Sequence, residues 1–326
     1  MKGGENLTID LVAYAFRPDL GTMQTPICDS LSAVGIVCNA INTMDGDRDE
    51  TDDWSEVTAR LDEGDFDLLL WAQNTLPSGD SLSFLSGFFR TGAGNNMAGL
   101  ASTEVDSLLD ALGVAEGHEN RVAATTAVHE AIMAERPVSN LVTPAWHVGV
   151  SDRMTDYEPY GSDYYIINAD LFVTRPVVVG MTWTTGSLDP RYGSTPWSLT
   201  THGLAEKLFT VDKNGEIVGQ VAQSVSMVSD FVWNVTLRRN YKFSDGTVVT
   251  GQIVADCLNE LNTENSAAQS SLGTITATAP DATTVRITST TATHVMSAVL
   301  AEWVFTVYLA DSTAVGGFKF TGPYAV

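Results

Sequence analysis

The chain has 326 residues, enough for about two domains, and 44% of them are hydrophobic, so a sizeable core can be buried. Charged residues make up 17%, with 40 acidic against 17 basic and a net charge of −23, a balance that repels polyanions and excludes nucleic acid and anionic membrane as natural partners. The longest apolar runs are too short to cross a bilayer, and the N-terminal MKGGENLTIDL lacks the apolar stretch and cleavage site of a secretory signal.

Residues 1–173 alternate strands and helices. Thr8 to Ala13 predicts a strand, Leu20 to Val34 a helix with Met23, Ile27 and Leu31 on one face, Gly35 a stop, and Ile36 to Ile41 a second strand. An acidic loop from Asp45 to Asp53 follows, with Asp52 or Asp53 able to cap a helix running through Leu61. The continuous apolar run Phe66 to Trp71 predicts a strand buried on both faces. This β-α-β-α-β order implies an α/β lobe. Helices are expected over 81–89, 103–112 and 119–135, the last ended by Pro137. Leu141 to Val150 reads as an apolar extended segment holding Trp146 and His147, and Tyr164 to Ile167 as a β-prone run.

Residues 174–326 are richer in Thr, Val and Ser, and strands are expected to dominate. The spacing predicts a strand at 177–183, a turn at Asp189-Pro190, a helix over 198–208, a turn at Lys213-Asn214-Gly215 and a strand at 232–238. It continues with a turn at Asp245-Gly246, a helix over 252–261, a hairpin of 274–279 with 284–289, and a short helix at 296–300. The three cysteines, Cys28, Cys38 and Cys257, have no CxxC spacing and are expected as small buried thiols.

Several stretches of the second half resemble the start of family-5 extracellular solute-binding proteins, the peptide- and nickel-binding components of ABC importers. They are GSLDP (186–190), HGLAEKLF (202–209), WNVTLRRNYKFSDGTVVTGQIV (233–254) and TGPYAV (321–326). The first half resembles the end of the same family, through RPDL, DFDLLLW, NNMAGLASTEVDSLLD and WHVGVSDRM followed by YEPYGSDYYIINADL. The combination of WHVG, HGLAEKLF and LAEW is most similar to the nickel-type branch.

The order is reversed relative to the family, and the family's central portion has no counterpart. A circular permutant with a deletion, a window across a tandem array, and an assembly artefact all fit that order. The resemblance implies an α/β, two-lobed periplasmic-binding-protein-like fold (type II, cluster C) with mixed sheets, permuted and incomplete. Residues 1–173 would match the family's C-terminal part and residues 174–326 its N-terminal part.

The function so implied is binding of a chelated nickel ion or a short peptide in a cleft between lobes, for delivery to an ABC permease. The alternative is a non-binding unit of a tandem array. The protein is expected to be a monomer in the periplasm or outside the cell, with no required cofactor. Ni²⁺ would enter as a small-molecule chelate, because no HxxxH, HExxH or Cys/His cluster offers a protein cage.

His147, beside Trp146, and His202, read as lying near a helix start, are the candidate metal contacts, since borderline metals favour imidazole. The competing readings are a satisfied core histidine and an ordinary helix-turn histidine. His118, His129 and His294 are expected to be solvated. Trp71, Trp183, Trp197 and Trp303, at strand or loop ends, could form aromatic walls around an organic ligand. Asp80 falls where peptide-binding relatives hold a peptide amine, and could equally cap the helix that begins at Ser81. No GxSxG, Walker or dinucleotide fingerprint is present, so no enzyme is expected.

Overall fold

The computed structural model describes residues 6–14, 17–42, 59–76, 78–145, 147–152, 154, 156–160, 163–167, 178–180 and 187–324. The chain forms two compact units, residues 1–74 and 75–326. The boundary expected at 173/174 lies outside the described residues, as do the acidic loop, its capping aspartates, Trp146 and Trp183.

The first unit is the parallel βαβ arrangement that its sequence implies. Strand β1 (Thr8–Ala13) is flanked on both sides by parallel partners, β2 (Val37–Asn42) and β3 (Leu68–Leu70), in the order β2-β1-β3. Helix α1 (Pro18–Ala33) starts on a proline, whose missing N–H is no loss in the first turn. It packs Leu20, Met23 and Ile27 against Leu11, Ala13 and Leu70. Buried Gln24 donates its side-chain amide to the Leu11 and Ile41 carbonyls, each at 2.8 Å, tying the helix to the sheet.

Two expectations fail in this unit. Strand β3 is short and lies at the sheet edge, so Leu68 is 43% exposed rather than buried on both faces. Cys28 and Cys38 are joined as a disulfide, because the chain folds back after α1 and the packing of α1 on β2 brings residues ten apart to a Cα separation of 5.1 Å. The third cysteine is a buried free thiol, as its spacing implies.

In the second unit, helices α2 (Leu82–Phe89), α3 (Thr103–Val114) and α4 (His118–Glu135) enclose their own core of Leu85, Phe89, Val105, Leu109, Leu112, Val128 and Ile132. Ser102 caps α3 by accepting from the Val105 amide. Arg136 adopts φ +57 at the end of α4, just before Pro137. Residues 141–150 do not form the expected apolar strand among the described residues, and Leu141, Val142 and Val150 are exposed. Asp163–Tyr165 is a 3-10 turn where a strand was expected.

The larger core of this unit is built from residues 187–324. Helix α5 (Thr195–Thr201) precedes the small antiparallel pair β4 (Phe209–Val211) and β5 (Ile217–Gly219), joined through the expected Asn214-Gly215 turn. A four-stranded antiparallel sheet follows in the order β6-β7-β9-β8. Its strands are β6 (Ala222–Ser229), β7 (Val232–Leu237), β8 (Ile275–Asp281) and β9 (Thr284–Ser289).

On β7, Trp233, Val235 and Leu237 alternate inward, and Trp233 and Val235 pair across to Ile287 and Val285 of β9, the period-two pattern of a one-sided core. Helix α6 (Gly251–Glu264) covers this sheet, and the short α7 (Ser266–Leu272) packs beside α6 and α2. Two α6 asparagines close the free edge of β8: Asn259 exchanges bonds with the Ala277 backbone, and Asn262 donates to Gly273 O and accepts from Ile275 N. Helix α8 (Met296–Val299) and the pair β10 (Tyr308–Ala310) and β11 (Phe318–Phe320) complete the unit.

Candidate functional site

Helix α5 occupies 195–201, not 198–208. Pro196 sits in its first turn, and Gly203, at φ +69, turns the chain out just after its end. His202 therefore lies at the C-terminal end of a helix rather than near the start of one. A side chain on Gly203 would meet Ile167 Cγ2 and Tyr324 Cδ2, each at 2.8 Å, so this glycine lets the 163–167 segment pack against the helix end.

That approach builds an aromatic row. Trp197 meets Tyr164 edge-on at 6.1 Å between ring centroids, Tyr164 lies 6.5 Å from Tyr165, and Tyr165 lies 6.2 Å from Tyr160. His202 follows on the same helix as Trp197, at its C-terminal cap. Its Nδ1 is 2.6 Å from the Ser198 carbonyl oxygen. A carbonyl can only accept, so Nδ1 carries the proton and Nε2 presents its lone pair. Nε2 is buried and finds no hydrogen-bond partner among the described residues. An imidazole held in this tautomer by a backbone carbonyl is competent to accept a hydrogen bond or to ligate a metal through Nε2.

Beside the row, Lys207 is buried with its ammonium 5.3 Å from the Tyr165 ring centroid, and it donates to Ala301 O at 2.7 Å. Burial pushes this lysine down to about 8, against the opposing charge of Glu302. Glu302 is itself 6% exposed. Its Oε2 accepts from Ser271 Oγ at 2.6 Å, and its Oε1 accepts from Ser83 Oγ of α2. Burial pushes the carboxyl up to about 7, with the two serine bonds and Lys207 pulling the other way.

The remaining expected residues are dispersed. Asp80 caps the first turn of α2 by accepting from Leu82 N at 2.9 Å, and its carboxylate is clasped by Arg121 Nε and Nη2 at 2.9 and 2.8 Å. A peptide amine would have to compete with that guanidinium. His147 is exposed rather than embedded in an apolar strand. Trp71 belongs to the first unit, where it packs at 5.0 Å on Tyr14. Trp303 is half-buried against the main core. The expectation for His294 is overturned: its side chain is 13% exposed, with Nδ1 2.8 Å from Glu116 and Nε2 3.4 Å from Asp230. His129 is exposed, as expected.

Glu302 and Lys207 did not emerge from the sequence reading. The available signal was one acid inside the apolar run from Val295 to Ala310, since a charge in such a run is buried and must be compensated. Separately, Asn262, Thr263, Gln269, Gly273 and Thr274 line an open polar groove of about 380 Å³. No group of three or more His, Cys, Asp or Glu side chains that could hold a metal ion exists among the described residues. No helix among them is long and apolar enough to cross a membrane.

Residues 216–326 match the family model described as bacterial extracellular solute-binding proteins, family 5, middle. The match covers about a third of the chain. Similar solved structures include NikA from Staphylococcus aureus in complex with Ni(L-His)2, at 24% identity and a TM-score of 0.38 over 44% of this chain and 30% of that one. A nickel ABC transporter protein from Bacillus halodurans matches at 25% identity, a TM-score of 0.38 and the same coverage. The murein tripeptide binding protein MppA of Escherichia coli matches at 25% identity and a TM-score of 0.36, over 43% of this chain and 33% of that one. The chain thus spans about a third or less of the length of these proteins. No match was found among curated proteins.

Proposed function

We propose that the chain serves as the substrate-binding component of an ABC importer, taking up a chelated nickel ion or a short peptide and passing it to a membrane permease. The observation that carries this reading is the family-5 match over residues 216–326. His202 supports the nickel arm, because its tautomer leaves a buried imidazole nitrogen without a partner among the described residues, on the helix that carries Trp197. With no cluster of protein ligands among the described residues, the metal would arrive with most of its coordination supplied by a chelator such as free histidine. The aromatic row would then pack on the organic part.

The Cys28–Cys38 disulfide suits the oxidising, extracytoplasmic compartment where such binding proteins work. The reversed order of the family's motifs along the chain is retained as part of the proposal, as is a monomeric state. A thermal-shift screen against Ni²⁺ with free histidine and against di- to tetrapeptides tests the reading. Binding raises the midpoint with ligand concentration. A midpoint that stays flat for every ligand overturns it in favour of a non-binding unit of an array.

A further inference from the structure

The second unit holds two separate hydrophobic cores, one inside the α2–α4 bundle and one in residues 187–324. Polar and titratable groups join them. Glu302 is bonded to α2 through Ser83 and to α7 through Ser271. His294 donates its backbone N–H to Gly113 O at the end of α3, at 3.0 Å, and its ring sits between Glu116 of the α3–α4 connection and Asp230 of the β6–β7 turn.

We propose that Glu302 forms an acid-tightened joint that clamps the α2–α4 bundle to the β-rich core and loosens as the pH rises. The inference is independent of which solute the chain binds.

At Glu302, the carboxylate accepts two serine bonds while buried. On protonation one oxygen still accepts from Ser83 and the other donates to the Ser271 hydroxyl, so both bonds survive while the buried negative charge is removed. The charged groups facing it are Lys207, hydrogen-bonded to Ala301 O, and Asp80, whose charge is met by Arg121. Its raised folded-state value, about 7 against the ordinary 4.5, means that the clamped form takes up a proton more readily than a form with Glu302 in water. This contribution is therefore complete below 4.5 and is lost as pH rises through 7.

Hydrogen exchange of the α2–α4 amides, corrected for intrinsic rates, tests the proposal at pH 5.5 and pH 8. The opening equilibrium is expected to be roughly 10-fold larger at pH 8. Glu302→Gln, a neutral isostere, is expected to remove that difference. Ser83→Ala, which deletes the bundle's half of the clamp, is expected to raise opening of α2–α4 at pH 5.5 while leaving the β6–β9 sheet protected. Equal protection of the bundle at the two pH values in the wild type overturns the proposal. So does a full pH response in Glu302→Gln, or exchange in Ser83→Ala that rises equally in bundle and sheet.

Discussion

Replacing Arg121 with alanine separates a structural Asp80 from a ligand-binding one. Arg121 makes two bonds to the Asp80 carboxylate and two through Nη1, to Leu112 O at 2.9 Å and Ala115 O at 3.1 Å, so it also satisfies carbonyls at the C-terminal end of α3. The two side chains are 14% and 17% exposed. Removing one partner of so enclosed a pair costs about 3–5 kcal/mol, because the other charge stays behind. Residual water access at these exposures places Arg121→Ala near the lower end, at about 3 kcal/mol.

Asp80→Asn in the same background removes the stranded charge and is expected to restore about 1–2 kcal/mol, since the asparagine can still accept from Leu82 N. Urea unfolding followed by tryptophan fluorescence, with buried Trp233 as reporter, gives each value. A loss below 1 kcal/mol for Arg121→Ala, or a double variant no more stable than the single one, would refute the pairing as the reason Asp80 sits where it does.

Reduction of Cys28–Cys38, or replacement of both by serine, should lower the stability of the first unit by about 2–3 kcal/mol for a loop of this length. Mass spectrometry under alkylation should find one free thiol, at Cys257, in the unfolded oxidised protein. Gly203→Ala should destabilise by more than 1 kcal/mol, since a left-handed backbone and the contacts with Ile167 and Tyr324 act together. Its fluorescence should report a changed environment at Trp197.

Where local pattern and tertiary context agree, the sequence is a good guide. The β1–α1–β2 order, helices α2 to α4, and the β7 and β8–β9 strands all carry their own periodicity and turn residues. Strand β6 was missed because AQSVSMVS has neither strict alternation nor flanking signals, and its conformation comes from pairing with β7. The shift of α5 depends on Pro196 and Gly203 outweighing an apolar pattern that continues to Phe209. The disulfide required knowing that α1 lies against β2, which a spacing of ten does not reveal.

The site is legible in part. Trp197 and His202 come together on one short helix and its cap, but Tyr164, which Trp197 meets edge-on, approaches only through the close packing at Gly203. Asp80 sits one residue before the N-cap Ser81 and accepts from Leu82 N, close to the cap role expected of it, while its guanidinium partner lies 41 residues away and carries no local signature.

The most direct measurement is isothermal calorimetry of Ni²⁺ with free histidine into the wild-type chain and into His202→Ala, with a peptide mixture as a second titrant. The account predicts saturable binding of the metal chelate that weakens at least 10-fold in His202→Ala, about 1.4 kcal/mol or more, or saturable binding of peptide. No saturable heat from either titrant in the folded wild-type protein would contradict it.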